Sequence, residues 1–129
     1  MNNELEEIKN MLDSINSRLD QIEFKQDRLF YRTNVDSILY EYNVTRKQYE
    51  AIMDEMDKIR ETLEEGKSIE NSGFERHIEK IMNNRQDIDY HFCEYIARAF
   101  MEDDRWEEVF PALYGNMPKY KHLLENDNE

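Results

Sequence analysis

Between residues 5 and 29 the apolar positions recur with a period of seven. Leu5, Leu12 and Leu19 form one series, and Ile8, Ile15, Ile22 and Leu29 form a second, three places later. Nearly every intervening position is polar. A stripe of two positions in seven is narrower than a helix needs to lie on a globular core, and it matches the seam of a helix that pairs with others like itself. The pattern predicts a coiled-coil helix over residues 1–32. With Leu5 at a, Gln26 takes the last a position, where a polar side chain lowers stability and sets register. Glu4 at g faces Lys9 at the following e, and Arg18 faces Glu23 in the same way. Both pairs are opposite in sign, as parallel in-register chains require. Exposed pairs contribute roughly 0.2–1 kcal/mol, so they select orientation more than they stabilise. Leu at a with Ile at d disfavours two strands. The expected assembly is a parallel homo-oligomer, with a tetramer favoured over a trimer or dimer. The competing reading has this helix folding back on its own domain.

After Leu29 the seven-residue pattern fails, because Thr33 and Asp36 would be the next seam residues. Val35, Ile38, Leu39 and Tyr42 take the i, i+3, i+4, i+7 spacing of a globular helix face. A bend or helix restart is expected between Phe30 and Asn34. Thr45 and Gln48 then make a capping box, with Val44 and Tyr49 placed as a hydrophobic staple. The helix they open carries Tyr49, Ile52, Met53, Met56, Ile59 and Leu63 on one face and stops at Gly66. Ser72 with Glu75 suggests a second box, before Phe74, Ile78, Ile81 and Met82. Asp87 is the expected N-cap of a helix bearing Ile88, Phe92, Tyr95, Ile96, Ala99 and Phe100. Asp104 with Glu107 suggests a third box, ahead of Trp106, Val109, Phe110, Leu113 and Tyr114, with Pro111 expected to kink or split that helix. The last two helices have the outline of one helical-repeat hairpin, but no second copy occurs at a 34-residue period. Gly115 and Pro118 close the pattern. The resulting fold class is all-α: a parallel coiled-coil helix over 1–32, an acidic domain of about five helices over 33–118, and a frayed acidic tail over 119–129.

Composition supports this class. Three glycines and two prolines leave little turn chemistry for a sheet, and no segment alternates strictly over a strand's length. The formal charge of the 129 residues is −13, and it is unevenly spread. Residues 1–32 hold seven acidic and five basic side chains, so a net −11 falls on the rest. That field repels phosphate backbones and anionic lipid, so direct binding to nucleic acid or to a membrane is not expected, and a basic protein partner is. Asp54, Glu61, Glu64, Glu65, Asp103 and Glu107 are the candidate surface for it. No apolar run approaches the roughly 20 residues of a membrane span, and the N-terminus lacks the form of a signal peptide. Cys93 is the sole cysteine and cannot close an intrachain disulfide. A cytoplasmic location is expected.

Candidate chemistry is sparse. His77, His91 and His122 lie in no metalloprotease or di-iron spacing. His91 and Cys93 are two apart, which on a helix sends them to different faces. Asp87 and His91 could share a face, but two ligands do not make a metal site. The acidic surroundings of Cys93 blunt it as a nucleophile. With glycine only at 66, 73 and 115, a glycine-built phosphate cradle is excluded. No catalytic, cofactor-binding or metal-ligating residues are assigned. The fifteen aromatic residues exceed what a small helical core needs, and Tyr31, Tyr40, Tyr90, Tyr114 and Tyr120 do not all fit the inward faces.

From Phe30 onward the order of features is similar to the YhaI-like proteins of Bacillus and its relatives, small helical proteins without an assigned activity. The resemblance rests on the heptad helix, the segment from Phe30-Tyr31 to Tyr42, the capped helix from Thr45 to Leu63, the short helix around Gly73-Phe74, and the hairpin from Phe100 to Phe110. It implies a fold and oligomerisation, and no catalytic residues. Together these readings point to a homo-oligomeric cytosolic interaction protein, of adaptor or regulatory kind and without enzymatic activity. The alternative is an acidic inhibitor or nucleic-acid mimic, of phage or mobile-element type, that binds a basic host protein.

Overall fold

A computed structural model describes residues 2–121. The elements in order are α1 (Asn2–Tyr31), α2 (Asn34–Glu41), α3 (Arg46–Glu64), α4 (Asn71–Ile81), α5 (Tyr90–Glu102) and α6 (Val109–Tyr114), with no strand among the described residues. The all-α class is therefore correct.

The change of pattern after Leu29 is a restart. Arg32 takes φ of 51°, and Thr33 caps α2, its hydroxyl accepting from the Asp36 amide while Asp36 accepts from the Thr33 amide. This reciprocal box fixes the angle at which α2 leaves α1. The Thr45–Gln48 box opens α3 as expected. At its far end the Lys67 amide reaches Thr62 O and the Gly66 amide reaches Leu63 O, and Gly66 takes φ of 78°. Only glycine adopts that left-handed turn without strain.

α5 is the central helix, packing against α2, α4 and α6. Phe92, Cys93, Ile96, Ala97 and Phe100 have no exposed surface, so α5 is enclosed on more than the single face its pattern suggested. Val35 and Leu39 of α2, Ile52 and Met56 of α3, Phe74 and Ile78 of α4, and Phe110 and Tyr114 of α6 belong to the same core, as does Phe24 of α1.

Several expected boundaries are corrected. Ser72 does not cap α4, which starts one residue earlier, at Asn71, so that Ser72 already lies within the first turn; Glu70 is the N-cap and makes no side-chain bond. Asp89, not Asp87, caps α5, accepting from the His91 amide at 2.9 Å. Asp87 is engaged by the Arg85 guanidinium at 2.6 Å. The Asp104–Glu107 box does not form. Asp104 and Trp106 adopt φ of 61° and 46°, incompatible with a helix, and α6 waits until Val109. Tertiary contacts hold this turn open: the Trp106 ring meets Phe100 edge-on at 5.1 Å and its Nε1 donates to Asp57 at 2.8 Å. Because α6 starts so late, Pro111 falls in its first turn, where the missing amide has no intrahelical partner to lose, and the helix runs on unsplit to Tyr114. Residues 119–121 of the expected frayed tail are not frayed, since residues 118–121 form a further helical turn and Tyr120 is buried. The rest of that tail lies outside the described residues.

Candidate functional site

The seam residues of α1 stand clear of the protein's own core. Leu5, Ile8, Leu12, Ile15, Leu19, Ile22 and Leu29 are 46–65% exposed, and Gln26 is exposed with them. The head is attached to the other side of the same helix. In the heptad register Phe24 is an f residue, and it is the buried residue of α1. Its neighbours at b and c make the polar contacts: Asp20 pairs with Arg46 at 3.2 Å, Gln21 donates to Val44 O at 3.2 Å, and Arg28 meets Asp36 at 2.8 Å. The expectation that residues 1–32 stand apart from the domain is corrected in this respect: the last three turns of α1 belong to both. Phe24 was legible in principle, because it is the one apolar residue at b, c or f between Leu5 and Leu29.

Asp36 and Arg28 form the junction. The guanidinium lies 4.3 Å from the Phe24 ring centroid and 5.6 Å from that of Tyr49, so a cation is held between two aromatic faces. Its Nε contact with Asp36 is an ion pair without hydrogen-bond alignment. The same carboxylate accepts from the amide and hydroxyl of Thr33.

Of the predicted acidic surface, Asp54, Glu61, Glu64, Glu65 and Glu107 are exposed. Asp54, Glu61, Glu64 and the tryptophan-bound Asp57 recur along α3 at three- and four-residue steps and share a face. The turn carrying Glu107 lies against this helix, through Trp106 on Asp57 and through an Arg60–Glu108 ion pair. That pair holds the Glu108 carboxyl below its ordinary range, and Glu65 is paired with Lys67 at 3.1 Å. Asp103 is partly exposed, and its carboxylate is engaged within the fold. Its carboxylate accepts from the amides of Asn34 and Val35 at 3.1 and 2.9 Å, and so caps α2 from 68 and 69 residues away.

Other polar groups make contacts within the fold. Glu94, almost wholly buried, accepts from the Tyr120 hydroxyl at 2.6 Å and pairs with Lys119 at 2.9 Å. Burial and this bond push the Tyr120 phenol up to about 12. Glu75 accepts from Tyr114 at 3.1 Å, and burial raises its carboxyl above the ordinary range. Cys93 is buried among these acids, and desolvation drives its thiol far upward. His91 lies 3.2 Å from Asp89, and His77 lies 2.6 Å from the buried Glu55. Among the described residues no three His, Cys, Asp or Glu side chains are grouped to hold a metal ion. His122 lies outside the described residues. A groove of about 300 Å³ runs between α3 and α4, floored by Ile59, Ile69 and Phe74 and edged by Glu55 and His77. Tyr31, Tyr40 and Tyr90 are exposed, whereas Tyr114 and Tyr120 are buried.

A family model described as the uncharacterised protein family UPF0184 matches residues 1–35. The matched span is α1 with the restart into α2, and the remainder of the chain lies outside it. No curated protein and no solved structure matches. No described helix is long and apolar enough to cross a membrane.

Proposed function

We propose that this protein is a homo-oligomeric, non-enzymatic interaction protein of the cytoplasm, in which α1 forms a parallel coiled coil that presents several acidic heads to a basic protein partner. The observation that carries this reading is the division of labour around α1: the head takes the b, c and f positions, and the a and d seam is left exposed along its whole length. A helix whose apolar stripe belonged to its own domain would bury that stripe and expose the opposite face. Linking several heads raises their effective concentration at a multivalent target, so weak single contacts add to a firm one. Light scattering at micromolar concentration is expected to give a multiple of the chain mass, with a tetramer favoured, and Ile15→Asp to give the monomer. A monomeric wild type, or a mass unchanged by Ile15→Asp, overturns the reading.

The acidic stripe on α3 favours a second reading, an inhibitor whose carboxylates stand in for phosphates on a basic nucleic-acid-binding enzyme. Charge reversal at Glu61, Glu64 and Glu65 then abolishes binding to a basic target while the fold persists. Retained binding excludes it.

A further inference from the structure

Phe30 is the most exposed large apolar side chain described, at 79%, and its aromatic contact within the chain is the edge of Tyr31, 5.2 Å away. Its position in the heptad is e. The same g-to-following-e relation that brings Glu4 to Lys9 and Arg18 to Glu23 across a parallel seam brings Lys25 of one copy to Phe30 of the next. Lys25 is already placed to receive a ring. Its ammonium lies 4.7 Å from the centroid of Tyr40, and Tyr40, on α2, is itself 41% exposed.

We infer that Phe30 of one copy packs on the Lys25–Tyr40 pair of the neighbouring copy, so that the self-association surface continues from the stalk onto the head as an aromatic collar. The occupant is a second, parallel copy of this chain, selected by the complementary charges at g and e and by the continuity of Phe30 with Leu29 at the end of the seam. Helices packed ~8–10 Å apart place an e side chain beside the facing g stem. There the lysine methylenes offer an apolar bed and the ammonium faces aromatic rings. Leu29 and Phe30 together broaden the stripe at its C-terminal end, where the heads begin. The collar sets how each head is turned relative to its neighbours. This inference rests on the parallel-oligomer reading of α1.

The test is a double-mutant cycle on the full chain, read as the concentration of half-dissociation in a light-scattering dilution series. Phe30→Ser and Tyr40→Ser are each expected to raise that concentration by about three- to tenfold, the range for one aromatic pair. The double variant is expected to raise it little beyond the larger single effect. If the single effects multiply, the collar is wrong while the oligomer stands. If the wild type is monomeric throughout, the parallel reading falls and the collar with it. A second measurement covers loss of folding in the serine variants: Tyr40→Cys chains mixed with tagged Phe30→Cys chains are treated with a short bis-maleimide. A mixed product, absent from either chain alone, supports the collar. An oligomer that yields none overturns it.

Discussion

Arg28 on α1 and Asp36 on α2 meet at 2.8 Å with side chains 13% and 9% exposed, which makes theirs the most enclosed pair between a guanidinium and a carboxylate described in the molecule. The pair stands where the long helix ends and the head begins. With Phe24, Asp20–Arg46 and Gln21–Val44 it joins the stalk to the head. Removing one partner leaves the other charge desolvated, so Arg28→Met is expected to lower stability by about 2–4 kcal/mol. Pairing it with Asp36→Leu recovers part of that loss, less the Thr33 cap. Urea unfolding of the single and double variants measures both.

Phe24→Ala tests whether α1 is truly shared. A large-to-small change at a fully buried ring costs about 3–5 kcal/mol. The expected outcome is a destabilised head, seen in Trp106 fluorescence, with the chain still assembling through a seam that Phe24 does not touch. Ile15→Asp is expected to do the reverse. Loss of assembly with an unperturbed head in Phe24→Ala runs against the division of faces.

Asp103→Ala removes the carboxylate that accepts from Asn34 and Val35. Loss of a helix cap costs about 0.5–2 kcal/mol. Thermal unfolding should show this, with Asp103→Asn retaining part of the cap. Binding to a basic partner should be unchanged, unlike the response to charge reversal at Glu61 or Glu64.

The Tyr120–Glu94 contact predicts alkaline behaviour. The phenol ordinarily titrates near 10.0 and is held up to about 12 in the fold, so the folded state binds its proton more tightly than the unfolded chain. Its contribution is complete below pH 10 and is lost as pH rises from there to about 12. Tyr120→Phe should lower stability at neutral pH by about 1 kcal/mol, the net value of a hydrogen bond, and make the alkaline decline shallower. Some decline persists, since burial also raises Tyr42 and Tyr114. Urea midpoints across that pH range decide it.

Cys93 has no exposed surface and its thiol is pushed upward by burial and by Glu75. A thiol reagent is expected to label it only as fast as the domain opens, with the rate rising steeply in denaturant. Rapid labelling of the native protein at neutral pH contradicts the enclosure of α5.

The sequence was most informative where local chemistry decides structure. The heptad series, the Thr45–Gln48 box and the glycine turn at 66 each depend on residues a few places apart, and each could be read directly. The failures share the opposite property. Asp87 was displaced as a cap by Arg85, whose guanidinium is itself held by Tyr42 O from 43 residues away, and Asp104 by a turn that Trp106 holds through Asp57 and Phe100. A carboxylate's role in such places is set by what arrives from distant parts of the chain, and Asp103 is the clearest case: it reads as surface charge and acts as a cap. Phe24 lay between these extremes. Its apolar character on a polar face was visible, but a periodicity that assigns a and d leaves f unexamined.

The cap that Asp103 supplies to α2 has a consequence in time as well as in structure. An eight-residue helix does not persist alone in water, and beyond its local Thr33–Asp36 box α2 obtains a further N-terminal acceptor from a residue made 69 positions after Asn34. At ~5–20 residues per second, roughly 3–14 seconds separate the synthesis of the two. Throughout that interval α1 is complete and its seam is free. In the proposed assembly, chains on neighbouring ribosomes meet with their stalks already synthesised and their heads still open.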